Sequence, residues 1–582
     1  MYILGLNIGH NSTACLLNDG VVVGCISEER FTRVKNQTGI PINSIEYLLK
    51  LVNINIKKID FVVLDNHYPV IKKDIVKRFI ESYKKKSFSK KITSFIGYNY
   101  SGFFSFYSKF KDKFYNLTLG KKIENIKLQI SSKLKYPRNK ILVIDHHLCH
   151  ALAPCLNLPL NEKTLIFTLD GEGGRTCASI NLYEDGKIKV LSRSHKSASL
   201  GYLYALATMH LGMKPLEHEF KLMGLAPYAK NHKVDEIYSK FKKLIWIDDR
   251  LKFQSAFDMT FADIFFTSEM RLVRFDVVAG AVQRLVEDLT TEWVTKAIKR
   301  YKVNSIALSG GVFMNVKANQ KIAKLQEVKK IFIMPSSGDE SNSIGSALHG
   351  HIFFCKKNKI SPTFSPLKDL YLGPEYNDEY VLKMIKKMNL ENSYKIKKIK
   401  NINLEIAKLL AKGEIVARCT GRSEFGARAL GNRSILANAD NIETIKILNE
   451  TIKDRDFWMP FTPSIIEEDS NRYLINDKKI SAPYMTITFD STKVAKKELP
   501  AAMHPYDSTI RPQIVTKSWN PDYYKIISEF KRITGRGAIL NTSFNLHGEP
   551  NVLTPEDAIH TLKNSSLKYL ALGKYLFEKK AN

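Results

Sequence analysis

The sequence of 582 residues lacks several features of secreted and membrane proteins. No apolar run reaches the roughly 20 residues that a membrane span needs, so we expect no membrane-spanning helix. The N-terminal stretch "MYILGLNIGHNSTACLL" has no basic residues at its start and at once shows the pattern of a β-strand, so we expect no signal peptide. The seven cysteines are odd in number and contain no C-x-x-C pair. This pattern suits a reducing cytoplasm better than a disulfide framework, and we expect a cytoplasmic protein.

Positive charge is abundant, because 89 Lys and Arg residues against 58 Asp and Glu residues leave a net charge of +31. Such an excess invites a nucleic-acid interpretation. Against it, the lysines are scattered along the whole chain, with no aromatic-interleaved stripe and no known RNA-binding motif. The densest runs, at 81–91 and 383–401, are typical of solvated helix faces. We therefore expect no nucleic-acid partner. A polyanionic small substrate would also favour a basic protein.

Length and hydrophobic pattern predict at least two α/β domains, because a chain of this size exceeds one compact core. The stretch "INSIEYLLKLV" predicts an amphipathic helix and "IDFVVLD" a buried strand. Residues 68–135 are rich in lysine and aromatic residues, with a helical tendency and no recognisable chemistry. The Pro- and Lys-rich residues 356–367 predict a linker, and a second α/β unit follows from "LYLGPEY" onward.

The stretch "VIDHHLCHALAP", at 143–154, is the first candidate site. If residues 147–156 are helical, His146 and His150 stand four positions apart and face the same way. Two neutral imidazoles at this spacing can share a divalent cation. The spacing alone equally fits histidines that cap or hydrogen-bond within an ordinary helix. His147 and Cys149 would point elsewhere, and we expect them to be structural.

Three glycine-bearing turns follow predicted strands, in "GLNIGHNST", "LDGEGG" and "LSGGVFMN". Glycine permits the close backbone approach that exposes N–H groups to phosphate oxygens. Two strand–turn–strand loops followed by a strand–glycine–helix loop indicate a nucleotide cleft in an actin and sugar-kinase type of fold. Asp170 and Asp339 lie beside turns of this kind and are natural ligands of a metal or of its water molecules.

The arginine-rich stretch "ARCTGRSEFGARALGNRS", at 417–434, is a third candidate. Small residues separate the arginines, and Phe425 and Leu430 need burial, so we predict a folded pocket wall. Guanidinium groups match phosphate geometry, which predicts an anion pocket, whereas a solvated arginine face is the alternative. The four arginines are Arg418, Arg422, Arg428 and Arg433.

Two further pairs of polar residues could complete such a pocket. Lys453 and Arg455 lie in "IKDRDFWMPF", and Ser543 and Asn545 lie in "LNTSFN". The pairs offer two cations and two neutral hydrogen-bonding groups. By composition alone, this combination is only suggestive.

Ordered motifs along nearly the whole chain resemble those of the NodU/CmcH-type carbamoyltransferases. Beside the stretches already quoted, they include "EERFTRVKN", "EFKLMGLAPYA", "PSSGDESNSIGSA", "PFTPSI" and "LNTSFNLHGEP". The resemblance implies an N-terminal domain over 1–358 that is similar to the tRNA threonylcarbamoyl-transfer proteins, with an ASKHA (actin and sugar-kinase-like) fold. It also implies a YrdC-like α/β domain over 367–582.

The implied reaction uses carbamoyl phosphate and ATP, with Mg2+ as the usual partner of ATP. The C-terminal domain would form carbamoyl-AMP and release pyrophosphate and phosphate. The N-terminal domain would then pass the carbamoyl group to a hydroxyl of a small-molecule or sugar acceptor. An acceptor on tRNA or a protein amine is the alternative that the basic charge leaves open. A non-catalytic nucleotide-binding scaffold is a third reading, which the complete set of candidate residues disfavours.

The resemblance also implies the residues of the first domain that act in this reaction. His10 would be a general base for the acceptor hydroxyl, although a hydrogen-bonded turn histidine is its alternative. Fe2+ is the metal that the resemblance implies, while mixed N/O ligands by themselves suit Fe, Zn or Mn. The implied metal ligands are His146, His150, Asp170 and Asp339. The implied adenylate-binding residues are Lys221, Gly310, Gly311 and Asn315.

In the second domain, the resemblance implies cations that neutralise carbamoyl phosphate and ATP, together with two polar residues that orient them. The cations are Arg422, Arg428, Lys453 and Arg455, and the orienting residues are Ser543 and Asn545. Three positions depart from the family pattern. Ala427 stands where many members have proline, Met459 where many have arginine, and Ala229 where glycine is common. The loss of an arginine at 459 could alter phosphate affinity.

Overall fold

A computed structural model describes residues 1–66, 75–84, 96–98, 101–453 and 456–580, without the side chains at 75, 101–114, 116, 451 and 453. The chain forms two compact units. The first unit comprises Met1–Glu28 and Asn36–Leu367, and the second comprises Glu29–Lys35 and Lys368–Asn582. A short segment that lies between two elements of the first unit in sequence therefore belongs to the second unit.

Two five-stranded sheets of the same topology form the frame of the first unit. Its strands are β1 Tyr2–Asn7, β2 Thr13–Asn18, β3 Val21–Ser27, β4 Phe61–Asp65, β5 Ile141–Ile144, β6 Thr164–Gly173, β7 Thr176–Glu184, β8 Lys187–His195, β9 Ile245–Ile247, β10 Phe253–Ser255, β11 Ser305–Ser309 and β12 Lys330–Ile333. The sheets are ordered β3-β2-β1-β4-β5 and β12-β11-β6-β7-β8, and β9 pairs with β10 separately.

In each five-stranded sheet, the first three strands pair antiparallel and the last two join in parallel. This duplicated arrangement is the actin and sugar-kinase topology, and the predicted α/β class is confirmed. The predicted buried strand "IDFVVLD" is β4, which is fully buried.

Helices cover the faces of these sheets. Those of the first 367 residues are α1 Glu29–Thr32, α2 Ile42–Leu51, α3 Ile75–Lys84, α4 Ser101–Leu134, α5 His146–Leu152, α6 Leu200–His210, α7 Glu219–Leu225, α8 Asn231–Lys242, α9 Ala262–Glu269, α10 Phe275–Tyr301, α11 Val316–Lys324 and α12 Asn342–Lys357. The predicted amphipathic helix is α2, which buries Ile45 and Leu48 against the first sheet. Within the described residues, no helix combines the length and the apolar content that crossing a bilayer requires.

The histidine helix α5 differs from its predicted extent. It begins at His146 rather than at 147, because the Asp145 side chain accepts a hydrogen bond from Leu148 N at 2.9 Å and caps the helix. It ends at Leu152 and continues as a 3-10 turn over Ala153–Asn157. Pro154 lies at the start of that turn and has no N–H to continue the α-helical pattern.

The second unit is built on one eight-stranded mixed sheet. Its strands are β13 Tyr394–Lys398, β14 Val416–Cys419, β15 Arg433–Ala437, β16 Thr462–Ile466, β17 Leu474–Ile475, β18 Asp490–Ser491, β19 Gln513–Val515, β20 Ala538–Ser543, β21 Tyr569–Leu572 and β22 Tyr575–Lys579. The sheet is ordered β13-β22-β21-β14-β15-β20-β16-β19, and β17 pairs with β18. The pairs β14–β21 and β16–β19 are parallel, and the other neighbours in the large sheet are antiparallel.

Helices of the second unit pack on this sheet around a buried apolar cluster. They are α13 Asp378–Lys387, α14 Ile402–Ala411, α15 Glu443–Leu448, α16 Ser470–Tyr473, α17 Lys493–Glu498, α18 Pro521–Thr534 and α19 Pro555–Lys563. Leu410 of α14 and Phe530 of α18 are fully buried in the cluster beside Ile539 of β20. Removing such area from water contributes about 25 cal/mol per Å2 to the stability of the unit.

Candidate functional site

Four predicted metal ligands of the first unit converge on one point. His146 and His150 come from α5, Asp170 from β6, and Asp339 from the short turn Asp339–Ser341 before α12. The Nε2 atom of His146 lies 3.2 Å from Asp170 Oδ2 and 3.5 Å from Asp339 Oδ1. The Nε2 atom of His150 lies 3.6 Å and 3.5 Å from the same two oxygens. All four donor atoms lie within 4.8 Å of one another.

Close backbone packing makes room for these side chains. A Cβ added at Gly173 would overlap the ring of His146, so only glycine fits at this point of β6. A Cβ at Gly345 of α12 would overlap the backbone at Cys149, so glycine also lets α12 lie directly against α5. The two glycines therefore bring the histidine helix into contact with the elements that carry the two aspartates.

The charges of the cluster depend on one another. Burial opposes a charge on the His146 ring, but the carboxylates of Asp339, Asp170 and Asp65 outweigh it and raise its pKa well above the usual value. Burial likewise opposes ionisation of Asp170, yet His146 and His150 hold its pKa well below the usual range. The two aspartates therefore need positive charge beside them, which protons or a divalent cation can supply.

The donor set fits a divalent cation. Two imidazole nitrogens and two carboxylate oxygens are ligands that suit Fe, Zn or Mn. The neighbours in α5 are engaged elsewhere, as predicted. The ring of His147 hydrogen-bonds through Nδ1 to Thr168 Oγ1 at 2.7 Å and through Nε2 to Thr176 O at 3.0 Å. Cys149 Sγ lies 3.4 Å from Ser346 Oγ and is fully buried.

Asp65 is a functional candidate that the sequence did not reveal. It ends β4, and its Oδ2 lies 2.5 Å from Nδ1 of His146. The register of β4 with β5 pairs Asp65 with Ile144, two residues before His146. The carboxyl ends of parallel strands meet at one edge of a sheet. An aspartate at the end of a buried strand is therefore the sequence feature that could have indicated Asp65 as part of the site.

The turn that carries His10 lies beside the Asp339 turn. Asn11 Nδ2 donates to Oε2 of Glu340 at 3.4 Å, and Asn7 Nδ2 donates to the carbonyl of His10 at 2.6 Å. The Nε2 atom of His10 is buried, with no hydrogen-bond partner in the described part of the chain. This geometry leaves one imidazole nitrogen of His10 available for a bound molecule.

The predicted adenylate residues occupy several places in the first unit. Gly310, with φ +103°, donates its N–H to Ser337 O at 2.9 Å, and a Cβ at Gly311 would lie 2.7 Å from Asp170 Oδ1. Gly311 therefore lies beside the metal cluster. Asn315 caps α11 by accepting from Ala318 N at 3.0 Å. Lys221 lies in α7 and is partly buried.

Gln283 joins Asn315 to a buried polar network that the sequence did not indicate. Gln283 Oε1 accepts from Asn315 Nδ2 and from Tyr204 OH, each at 2.9 Å. Its Nε2 donates to Glu287 Oε1 at 2.8 Å. The side chain of Asn315 is therefore held by its own helix and by α10, which fixes its position.

In the second unit, the arginine-rich stretch is the loop between β14 and β15. Arg418 and Arg433 are fully buried, and their guanidinium groups donate mainly to main-chain carbonyls. Arg422 also donates to the carbonyls of Leu372 and Gly373, at 2.8 Å and 3.1 Å. Arg418 and Arg433 therefore hold the loop from inside, and the anion pocket that we predict in this stretch stays a prediction for Arg422 and Arg428.

Glu424 organises the same loop from inside. Its Oε1 accepts from the backbone N–H groups of Leu430, Asn432 and Arg433 at 2.9, 2.8 and 3.0 Å. Its Oε2 is buried without a hydrogen-bond partner among the described residues. Arg428 is partly buried and lies in sequence between Glu424 and the residues whose N–H groups Glu424 binds.

Ser543 and Asn545 lie at the same end of the sheet as this loop, because Ser434 near the start of β15 pairs with Ser543 at the end of β20. Ser543 Oγ and Asn545 Oδ1 are 2.6 Å apart, and Phe544 N donates to Arg433 O at 3.2 Å. The structure therefore brings the loop at 420–432, within the arginine-rich stretch, next to the loop at 543–551, which begins with Ser543. The Lys453 side chain and Arg455 lie outside the described residues.

The segment Glu29–Lys35 contacts both of these loops, which the sequence did not predict. Arg30 is buried, and its Nη2 donates to Gly426 O at 2.7 Å. Arg33 donates to the carbonyls of Pro550 and Asn551, each at 2.7 Å. The partners of Arg33 are more than 500 residues away in sequence, so no local sequence pattern predicts these contacts.

The fold and the clustered ligands define a two-unit α/β protein with a candidate metal centre. Its sequence matches the family models described as carbamoyltransferase N-terminus, over residues 2–348, and carbamoyltransferase C-terminus, over residues 407–579. The chain therefore belongs to the carbamoyltransferase family and is an enzyme of that class, which confirms the resemblance inferred from its motifs.

Three relatives illustrate how similar this chain is to known sequences. The uncharacterized protein MJ1058 of Methanocaldococcus jannaschii is 32% identical over 95% of both chains. Nodulation protein NolNO of Sinorhizobium fredii is 26% identical over 98% of this chain and 79% of its own. The 3'-hydroxymethylcephem-O-carbamoyltransferase of Streptomyces clavuligerus is 26% identical over 46% of this chain and 47% of its own.

Proposed function

We propose that the protein is an ATP-dependent O-carbamoyltransferase that takes the carbamoyl group from carbamoyl phosphate and transfers it to a hydroxyl of a small molecule or glycan. The observation that carries the proposal is the convergence of two histidines and two aspartates within 4.8 Å. This cluster lies in a chain that both carbamoyltransferase family models match.

The second unit would form the activated intermediate. Hydrolysis of carbamoyl phosphate gives carbamate and phosphate, and the carbamate oxygen then attacks the α-phosphorus of ATP, so that carbamoyl-AMP forms and pyrophosphate leaves. Two anions must meet in this step, which requires cations that neutralise both. Ser543 and Asn545, held at the end of β20, would orient them. The cations would be Arg422, Arg428, Lys453 and Arg455.

The first unit would carry out the transfer. The positive charge of Lys221 would attract the phosphate of the adenylate. Gly310 and Gly311, which have no side chain, would let the adenylate lie close to the backbone. A divalent cation, with Fe2+ as the family expectation, would supply positive charge and Lewis acidity for the carbamoyl group. It would be held by His146, His150, Asp170 and Asp339.

His10 would accept the proton of the acceptor hydroxyl through its unpartnered Nε2. The hydroxyl oxygen bonds to the carbamoyl carbon while the bond to AMP breaks, so the products are the carbamate ester and AMP. The turn of His10 lies beside the Asp339 turn, which supports this assignment.

The acceptor class rests on the names of relatives. One relative is named for O-carbamoylation of a hydroxymethylcephem, a small molecule with a free hydroxyl. We extend this acceptor class to the present chain as part of the proposal. The basic residues are scattered along the whole chain, so we favour a small acceptor over nucleic acid.

A partial reaction tests the proposal without knowledge of the acceptor. The full-length protein, incubated with ATP, carbamoyl phosphate and Mg2+, should release pyrophosphate and form acid-labile carbamoyl-AMP, detected by mass spectrometry. The double variant Lys453→Ala, Arg455→Ala should lose both products. The matched control is Lys386→Ala, Lys387→Ala, which removes two exposed cations of α13. Normal pyrophosphate release by the first variant would show that these cations do not serve this step.

A further inference from the structure

Asp65 is a fully buried carboxylate with a contact that the proposed mechanism does not use. Its Oδ2 lies 2.5 Å from Nδ1 of His146, and both side chains are completely removed from solvent. Its second oxygen, Oδ1, is buried with no hydrogen-bond partner in the part of the chain that the structure describes. Burying a carboxylate oxygen in this way costs free energy, so a function that needs the carboxylate at this place would explain its retention.

The contact determines which nitrogen of His146 faces the cluster. A neutral imidazole carries one N–H, and the nitrogen without it is the one that can bind a metal. Because the Asp65 carboxylate can only accept, it favours the tautomer with the proton on Nδ1. The lone pair then lies on Nε2, the atom that points at Asp170 and Asp339.

Neighbouring groups hold both partners in place. Asn66 Oδ1 accepts from the backbone N–H of His146 at 3.1 Å. Asp65, which ends β4, and the next residue therefore hold both the ring and the main chain of this histidine. Asn342 Nδ2, at the start of α12, lies 3.4 Å from Asp65 Oδ2 and can donate to it. In the described residues, the Nδ1 atom of His150 has no corresponding partner.

We propose that Asp65 is a positioning residue of the metal centre, which orients His146 and presents its Nε2 to a divalent cation. The proposal rests on the metal site that the proposed function assigns. It assigns unequal roles to the two histidines, because a carboxylate holds Nδ1 of His146, whereas Nδ1 of His150 has no hydrogen-bond partner among the described residues. Carboxylate partners of metal-bound histidines typically change metal affinity by about 10- to 100-fold.

The test is titration of Co2+ alone into the metal-free full-length protein, followed by its d–d absorption bands and by competition with a coloured chelator. Asp65→Asn should weaken Co2+ binding by about 10- to 100-fold and shift the bands, since the new amide can donate to Nδ1 and favour the wrong tautomer. The control is Asp60→Asn, just before the same strand, whose carboxylate accepts from Tyr2 N and lies outside the cluster. It should bind Co2+ as the native protein does.

A double-mutant cycle separates positioning from a general structural effect. If Asp65 acts through His146, Asp65→Asn should cause almost no further loss of Co2+ affinity in a His146→Ala background. Circular dichroism verifies folding of each variant, and Asp65→Glu, which keeps a carboxylate, replaces Asp65→Asn if the latter is unfolded. It should also weaken Co2+ binding, by a smaller factor, because its longer side chain displaces the carboxylate.

The outcomes distinguish this inference from the proposed function. Native protein that binds no Co2+ would contradict the metal site, and with it both proposals. Native protein that binds Co2+ together with a folded Asp65 variant of unchanged affinity and spectrum would overturn the role of Asp65 alone. Equal losses from Asp65→Asn in the native and His146→Ala backgrounds would also overturn it.

Discussion

The Nε2 atoms of His146 and His150 lie 3.1 Å apart, with the carboxylates of Asp170 and Asp339 facing both. Such proximity is favourable when the two nitrogens share a proton or bind one cation. His147 lies between them in sequence but hydrogen-bonds to Thr168 and to the Thr176 carbonyl.

Mutation of His150 and mutation of His147 should therefore have different effects on metal binding and on stability. His150→Ala should weaken metal binding so that the purified protein retains less than one metal ion per chain, because it removes a ligand. His147→Ala should retain the metal while lowering the free energy of unfolding by about 1–3 kcal/mol, since it leaves buried partners unsatisfied. Metal content by mass spectrometry and urea unfolding measure the two effects. Metal loss in His147→Ala with retention in His150→Ala would invert the assignment.

Gly311 should be required for metal binding as well as for its expected contact with the adenylate. A methyl group at this position would lie 2.7 Å from Asp170 Oδ1 and displace the carboxylate. We expect Gly311→Ala to weaken Co2+ binding by about tenfold or more, by analogy with other changes next to metal ligands. The control is Gly120→Ala in α4, where an added Cβ meets open space. Equal Co2+ affinity of the two variants would contradict this account of Gly311.

Arg33 should affect the reaction of the second unit, although it lies near the N-terminus of the chain. Its guanidinium group holds the carbonyls of Pro550 and Asn551, in the loop that follows Asn545. Arg33→Ala should therefore raise the KM for carbamoyl phosphate in pyrophosphate release, and Arg33→Lys should restore it in part, because lysine lacks the planar fork. Lys57→Ala, at an exposed position of the first unit, is the control. Unchanged KM in Arg33→Ala would exclude this positioning role.

Glu219 should make the stability of the first unit depend on pH. Burial and the nearby Glu217 raise the pKa of Glu219 from 4.5 to about 7. The unfolded chain ionises first as pH rises, so the contribution of this group to stability is present below pH 4.5 and is lost by about pH 7. Glutamine does not ionise, so the free energy of unfolding of Glu219→Gln, relative to that of the native protein, should rise by up to about 3 kcal/mol between pH 5 and pH 8.

Urea midpoints at the two pH values measure this gain. The control is Glu236→Gln, which changes an exposed carboxylate of α8. If the urea midpoints of Glu219→Gln and of the native protein change equally between pH 5 and pH 8, the raised pKa of Glu219 is contradicted.

Much of the fold was predictable, because its elements carry local patterns. Alternation and length revealed β4 and α2, and glycine turns after strands indicated the duplicated actin-type unit. The extent of the histidine helix was less accessible. Its start depends on the cap formed by Asp145 and its end on Pro154, whereas the spacing of the histidines alone indicates neither.

The candidate site was predictable where its residues lie in motifs and unpredictable where they depend on tertiary pairing. Asp65 reaches His146 only through the register of β4 with β5. Arg33 reaches Asn551 across more than 500 residues of sequence. Arg433 illustrates another limit, because guanidinium groups bind carbonyls and phosphates through the same donors and only packing distinguishes the two.

Formation of carbamoyl-AMP tests the central claim most directly. The full-length enzyme is incubated with ATP, Mg2+ and carbon-labelled carbamoyl phosphate, and pyrophosphate and labelled carbamoyl-AMP are quantified together. The account predicts both products in equal amounts in native protein and their persistence in His150→Ala, whose defect lies in the transfer step. Absence of pyrophosphate above background, with metal and a cell extract as the source of acceptor supplied, would contradict it.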